Sequence, residues 1–100
     1  MKPPFSASPP AVPAGEAQVI GALQRAGALF RQRRYLEAAD AYREVIRLRP
    51  KLADVHNNLG VALKSAGHVQ DAIPCFRRAV RLKPDSLAAH ANLASALESG

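Results

Sequence analysis

The 100-residue chain has no tryptophan, one cysteine, three phenylalanines and two tyrosines. The lone Cys75 excludes an internal disulfide and a metal site built from cysteine pairs. No run of eighteen apolar residues is present, so we expect no segment that crosses a membrane. Prolines rather than an apolar stretch follow Lys2, which argues against a secretory signal and predicts a cytoplasmic location. With so few aromatic residues, the helices must pack by close approach of small side chains.

Proline is concentrated at the start of the chain. Five of the eight prolines fall within MKPPFSASPPAVPAG, a stretch with neither a helical nor a strand period. Such a composition cannot bury enough apolar surface to offset the entropy of ordering. The sequence therefore predicts a disordered, proline-rich tail over residues 1–15 and a small folded part after it.

The rest of the chain contains a repeat with an offset of 34 residues. The stretch HNNLG begins at His56, and HANLA begins at His90. The same offset relates Tyr42 to Phe76, Ala38 to Ala72, Leu48 to Leu82, Pro50 to Pro84, Ala62 to Ala96 and Leu63 to Leu97. A fixed period of this length is typical of stacked supersecondary units that each pack on their neighbours.

Each unit is predicted to contain two helices. The stretch YLEAADAYREVIRL indicates an amphipathic helix, because its apolar residues fall mainly on one stripe: Leu36, Ala39, Tyr42, Val45, Ile46 and Leu48. Pro50 and Pro84 should end the second helices, because proline lacks the N–H that continues a helix. Gly67 should form the turn inside the second unit, since glycine adopts a positive φ without steric cost.

The last two helices carry their own local signals. Pro74 lies near the start of the fourth predicted helix, where it removes one backbone donor and should cause at most a slight kink. Asp85 and Ser86 are candidate N-caps for the fifth helix. Leu93 and Leu97 of that helix are expected to bury against the second helix pair.

This arrangement resembles the tetratricopeptide repeat, in which two helices of small and aromatic residues are followed by a proline. Nine residues carry the resemblance: Leu59, Gly60, Ala62, Leu63, Gly67, Ala72, Phe76, Ala79 and Pro84. It implies an all-α fold, a right-handed solenoid of antiparallel helix pairs with two full repeats and the first helix of a third. The repeats would span residues 16–52 and 53–86, with residues 87–100 as a partial third repeat or a capping helix. Arg33 and Arg25 depart from the pattern, standing where Gly67 and Leu59 map.

Residues able to carry catalysis are few. Three histidines, one cysteine and eight carboxylates form no phosphate-binding glycine loop, no HExxH and no nucleophile elbow. The sequence therefore predicts neither an enzyme nor a cofactor. His56 and His90 lie one repeat apart with no carboxylate at metal-ligand spacing, so we expect them to fill packing positions rather than to bind metal.

Primary amides recur on the first helix of each repeat. Gln24, Asn58 and Asn92 are spaced by 34 residues and would form a ladder along one face. An amide donates and accepts a hydrogen bond at once, which suits an extended peptide backbone. With neighbours on the same helix face, the predicted peptide-binding residues are Gln24, Asp54, Asn57, Asn58, Val61, Lys64, Ser65 and Asn92. The alternative is that the asparagines tie adjacent helices together.

The charge balance bears on the class of partner. The net charge is +6, and Arg43 and Arg47 map onto Arg77 and Arg81, which predicts a basic stripe on the convex side. Acidic residues interrupt the stripe and no aromatic side chains are interleaved to stack on bases, so we do not expect nucleic-acid binding. A protein or peptide partner is predicted, and the sequence does not indicate an oligomeric state.

The leading hypothesis is a non-catalytic scaffold that binds an extended peptide in a concave groove. The stretches HNNLG and AHANLASALESG also resemble the repeats of O-linked N-acetylglucosamine transferases and related bacterial repeat proteins, in which an asparagine ladder holds substrate peptide. This narrower resemblance implies an alternative, the N-terminal substrate-recruiting region of a longer glycosyltransferase or other enzyme.

Overall fold

The computed structural model describes residues 14–99, and every regular element in that range is an α-helix. The helices are α1 (Ala14–Arg31), α2 (Tyr35–Leu48), α3 (Ala53–Ser65), α4 (Val69–Leu82) and α5 (Leu87–Ser99). α1 pairs with α2 and α3 with α4, while α2 packs on α3 and α5 packs on α4 and touches α3. The predicted architecture is thereby confirmed: a right-handed solenoid of two antiparallel helix pairs followed by the first helix of a third. None of the described helices is long and apolar enough to span a bilayer.

The helix ends follow the local signals. α2 ends at Leu48 and α4 at Leu82, each two residues before a proline. The Ser86 hydroxyl accepts a hydrogen bond from the Ala89 N–H at 3.2 Å, so Ser86 caps α5 as predicted. α4 continues without a break through Pro74. α1 begins at Ala14, inside the predicted tail, and the rest of that tail lies outside the described residues.

The turns inside the two helix pairs have the same geometry but different residues. Gly67 has φ of 89° and Arg33, at the equivalent position, has φ of 62°. The His68 N–H donates to the Leu63 carbonyl at 2.8 Å, and the Arg34 N–H donates to the Leu29 carbonyl at 2.9 Å. Each bond pairs a backbone carbonyl that would otherwise have no partner at the end of the first helix, as in the Schellman motif. The first repeat therefore keeps the turn although it lacks the glycine.

The core lies between the helices of each pair. Phe76 of α4 is fully buried, and its ring lies directly against the backbone of Gly60 on α3. In the first pair the equivalent residues are Tyr42, which is 8% exposed, and Ala26, which is fully buried. Alanines fill most of the remaining buried positions, so the helices approach closely without large side chains.

The histidines join α3 and α5 to the turns before them. His56 Nε2 lies 2.8 Å from the Pro50 carbonyl oxygen, and His90 Nε2 lies 2.7 Å from that of Pro84. A carbonyl can only accept, so Nε2 carries the proton and donates it. Among residues 14–99, no three His, Cys, Asp or Glu side chains come close enough to hold a metal ion. His56 is 9% exposed and fills the predicted packing position, whereas His90 is exposed, so the expected packing position holds for His56 only.

One prediction about a buried leucine is wrong. Leu97 of α5 is 48% exposed, whereas Leu93 of the same helix is partly buried against the core. Leu97 maps onto Leu63, which α4 covers, but no described helix follows α5 to cover Leu97. On α2, Leu36 of the apolar stripe is 50% exposed in the first turn of the helix.

Candidate functional site

Helix α3 carries six of the eight residues predicted to bind a peptide. α3 packs on α2 and α4, and its buried residues include Leu59 and Leu63. The predicted residues lie on the remaining side of the helix, toward α5 and solvent. The exposed ones are Asp54, Asn58 and Ser65, and the half-buried ones are Asn57, Val61 and Lys64. The predicted residues therefore share one accessible face of α3, as their spacing required.

Two hydrogen bonds connect this face to α5. The Asn92 side-chain N–H donates to Asn57 Oδ1 at 3.0 Å, and the Lys64 ammonium donates to the Ser95 hydroxyl. The structure thus brings Asn92 to Asn57, which is the helix-tying role that the sequence left as an alternative. Asn92 keeps its Oδ1 and its second N–H, and Asn57 keeps its amide N–H groups, for a further contact.

Asn58 and Asp54 line a groove of about 380 Å³ at the end of α3 that faces the turns between repeats. Leu23 of α1 and Leu52 provide its apolar walls. Lys51 and Lys83 contribute ammonium groups, and Ala53 and Val55 complete the lining. The groove therefore combines an apolar surface, an amide and two cations beside one carboxylate, a mixture suited to a peptide rather than to a purely apolar ligand.

Sequence reasoning missed the two lysines of this groove. Lys51 directly follows Pro50, and Lys83 directly precedes Pro84, so both lie in turns between repeats. The two lysines are not separated by the 34-residue repeat, so the repeat pattern gave no reason to place them in the same site. Their positions beside the prolines could have indicated a shared site, because the prolines mark the turns between repeats and those turns lie on the same side of a solenoid.

The other predicted residues lie outside the groove. Gln24 is exposed on α1, and its side chain makes no hydrogen bond to any of residues 14–99, whereas its neighbour Leu23 lines the groove. Val61 packs partly against the core, and Ser65 is exposed at the other end of α3. The proposed amide ladder is thus not a continuous row of contacts, and its part in binding stays a prediction.

A second cleft, of about 700 Å³, lies at the α1–α2 end of the stack. It carries charges of both signs, because three arginines and three acidic residues line it together with two apolar side chains: Arg25, Leu29, Glu37, Asp40, Ala41, Arg43, Glu44 and Arg47. Arg25 pairs with Glu44, and Arg43 pairs with Asp40 at 3.1 Å. Mutual neutralisation leaves this cleft with little net attraction for a charged ligand.

The described residues with shifted ionisation do not form a catalytic site. Burial raises the pKa of the Cys75 thiol, and the nearby Arg43 charge only partly opposes this effect. Cys75 is therefore a protonated packing residue rather than an activated nucleophile at neutral pH. Burial also raises the pKa of the Tyr42 hydroxyl, whose ring packs in the core between the first two helices.

Comparison with known proteins agrees with this geometry. The family profile described as a TPR repeat matches residues 27–67, and the profile described as the tetratricopeptide repeat matches residues 53–86. A search of curated protein sequences gave no significant match.

Solved structures similar to the chain include three repeat proteins. The first TPR of Spaghetti (RPAP3), bound to the HSP90 peptide SRMEEVD, is 18% identical with a TM-score of 0.76, over 81% of this chain and 64% of that one. The TPR2AB domain of yeast Sti1, in complex with pHSP90, is 23% identical with a TM-score of 0.78, over 85% and 35%. A D159K mutant of MamA is 28% identical with a TM-score of 0.74, over 81% and 47%.

The chain spans less than two thirds of the length of each of these structures. None of the three is described as a glycosyltransferase, so they give no support to the narrower resemblance. The two family profiles together match residues 27–86, and the helices, turns and core of that range have the repeat's geometry. The chain belongs to the tetratricopeptide repeat family.

Proposed function

We propose that this chain is a non-catalytic protein-interaction scaffold that binds an extended peptide segment across the groove beside Asn58. The observation that carries the proposal is the exposed Asn58 amide lying between apolar walls and two ammonium groups. The amide would hydrogen-bond the peptide backbone whatever its side chains. Leu23 and Leu52 would bury one apolar side chain of the peptide.

The charges of the groove favour an acidic residue in the bound peptide. Lys51 and Lys83 attract a carboxylate, and Asp54 would orient it away from the N-terminal end of α3. The similar structures of Spaghetti and Sti1 were solved with an HSP90 peptide and with pHSP90. Both are less than 25% identical to this chain, so they support the ability of the fold to present a peptide surface and do not identify the partner.

The test is a fluorescence titration of a library of extended peptides against the wild type and Asn58→Ala. Loss of one amide contact should weaken binding about two- to tenfold, as expected for a single net hydrogen bond. Gln70→Ala is the matched control, because Gln70 is an exposed amide on α4, outside the groove. Circular dichroism would confirm that both variants stay helical.

The double variant Lys51→Gln with Lys83→Gln separates the two parts of the proposal. It should weaken the binding of acidic peptides and leave that of neutral peptides unchanged. If Asn58→Ala and Gln70→Ala both bound peptides as tightly as the wild type, the groove would not be the peptide-binding site.

A further inference from the structure

The exposed face of α4 carries three arginines without acidic residues between them. Arg77, Arg78 and Arg81 are all exposed, and they lie on one side of the helix because they are one, three and four positions apart. Among residues 14–99, none of the three forms an ion pair. Like charges one helical turn apart repel each other, so this face lowers the stability of α4 rather than raising it.

The equivalent face of α2 is neutralised. Asp40 pairs with Arg43 at 3.1 Å, and Glu44 pairs with Arg25 of α1. One repeat later, Pro74 stands in place of Asp40, and Arg78 stands in place of Glu44. On this face the second repeat therefore lacks both acidic residues of the first repeat. The arginines of α4 are left without a carboxylate partner among the described residues.

Within residues 14–99, no acidic side chain forms an ion pair with this face, including Asp54, Asp71, Asp85 and Glu98. Residues 1–13 contain no aspartate or glutamate. Four acidic side chains of the described part are already in ion pairs: Glu16, Glu37, Asp40 and Glu44. With a net charge of +6, a second copy of the chain would also repel this face. The described residues therefore do not supply the complementary charge.

We propose that the α4 arginines dock an acidic segment of a partner protein whose carboxylates repeat every three or four residues. Guanidinium groups match carboxylates in a two-pronged geometry, and a glutamate on every turn of a partner helix has the spacing of Arg77 and Arg81. A nucleic acid fits less well, because three arginines neutralise few phosphates and no aromatic ring is exposed on this face to stack on a base.

The experiment titrates the chain with a labelled alanine-based helical peptide that carries glutamate at every fourth position. The triple variant Arg77→Ala, Arg78→Ala, Arg81→Ala should weaken binding by about tenfold or more, since it removes the paired charges. The control triple Arg31→Ala, Arg33→Ala, Arg34→Ala loses the same net charge at the turn between α1 and α2 and should change binding by less than about twofold. Both variants alter exposed helix or turn positions, and circular dichroism would check their folding.

Four further measurements bear on the same proposal. The glutamine analogue of the peptide should not bind, and raising the ionic strength should weaken the glutamate peptide. Asn58→Ala should leave this binding unchanged, which separates the α4 face from the groove. Equal losses in the two triple variants would overturn the proposal in favour of a net-charge effect. Tighter binding of a duplex oligonucleotide than of the peptide would overturn it in favour of a nucleic-acid surface.

Discussion

At the scale of single residues, the contact between Gly60 and Phe76 sets the spacing of the second helix pair. A Cβ added at Gly60 would lie 2.5 Å from Phe76 Cε1, closer than real carbon atoms approach. Gly60→Ala should therefore destabilise the protein by about 1–2 kcal/mol, because overpacking exceeds the gain of about 1 kcal/mol in helix propensity. Urea denaturation followed by circular dichroism measures this change in the free energy of unfolding.

Gly21→Ala is the matched control for this prediction. Gly21 also lies inside a helix, but nothing lies within 4 Å of a Cβ built there. The substitution should stabilise the protein by about 0.5–1 kcal/mol, because only the entropy of glycine is removed. Adding Phe76→Leu to Gly60→Ala should recover part of the lost stability. If the single variants Gly60→Ala and Gly21→Ala each stabilised the protein, Gly60 would not be what sets the spacing of α3 and α4.

Arg33 is a second residue at which the chain departs from its own repeat. Its φ of 62° is unfavourable for a residue with a Cβ, whereas Gly67 adopts φ of 89° at the same point of the second repeat. Arg33→Gly should raise the free energy of unfolding by about 0.5–1 kcal/mol, and Gly67→Ala should lower it by about 1 kcal/mol. The midpoints of urea denaturation measure both, and a loss of stability in Arg33→Gly would show that its side chain holds the turn.

The residue-level predictions succeeded where the repeat itself carried the information. The burial of Phe76 and the turn at Gly67 follow from the repeat, because every unit must solve the same packing problem. The pairing of Asn92 with Asn57 rather than with Asn58 does not follow from it. Which of two adjacent amides faces the next helix depends on the rotation of α5 relative to α3, and that rotation is set jointly by all the side chains between them.

At the scale of elements, α5 differs from α3 although their sequences repeat. Leu63 on α3 is 3% exposed because α4 covers it, and Leu97 on α5 is 48% exposed. Leu63→Ala should cost about 2–5 kcal/mol by creating a cavity, whereas Leu97→Ala should cost less than about 1 kcal/mol. Thermal or urea denaturation compares the two variants. Similar losses would mean that the face of α5 bearing Leu97 is covered in solution.

Periodicity predicted the helices themselves, but not the environment of the last one. The apolar pattern of α5 is that of a helix between two neighbours, and the leucines alone cannot reveal which side is left open. Leu87, the first residue of α5, is 85% exposed.

At the scale of the whole molecule, stability should vary along the stack, because each helix contacts only its neighbours. α2, α3 and α4 each pack on two neighbouring helices within the described residues, whereas α1 packs on α2, and α5 packs on α4 and touches α3. The first pair is further joined at its ends by the Glu16–Arg49 ion pair. Local opening should therefore cost least at α5 and most in α2, α3 and α4.

Native-state hydrogen exchange of the backbone amides measures this gradient directly. Amides of α2, α3 and α4 should exchange most slowly, those of α1 at an intermediate rate, and those of α5 fastest. Gly60→Ala should accelerate exchange mainly in α3 and α4, because its strain lies between those helices, while Gly21→Ala should leave the order unchanged. Equal protection of all five helices would contradict the gradient, since the stack would then open only as a single cooperative unit.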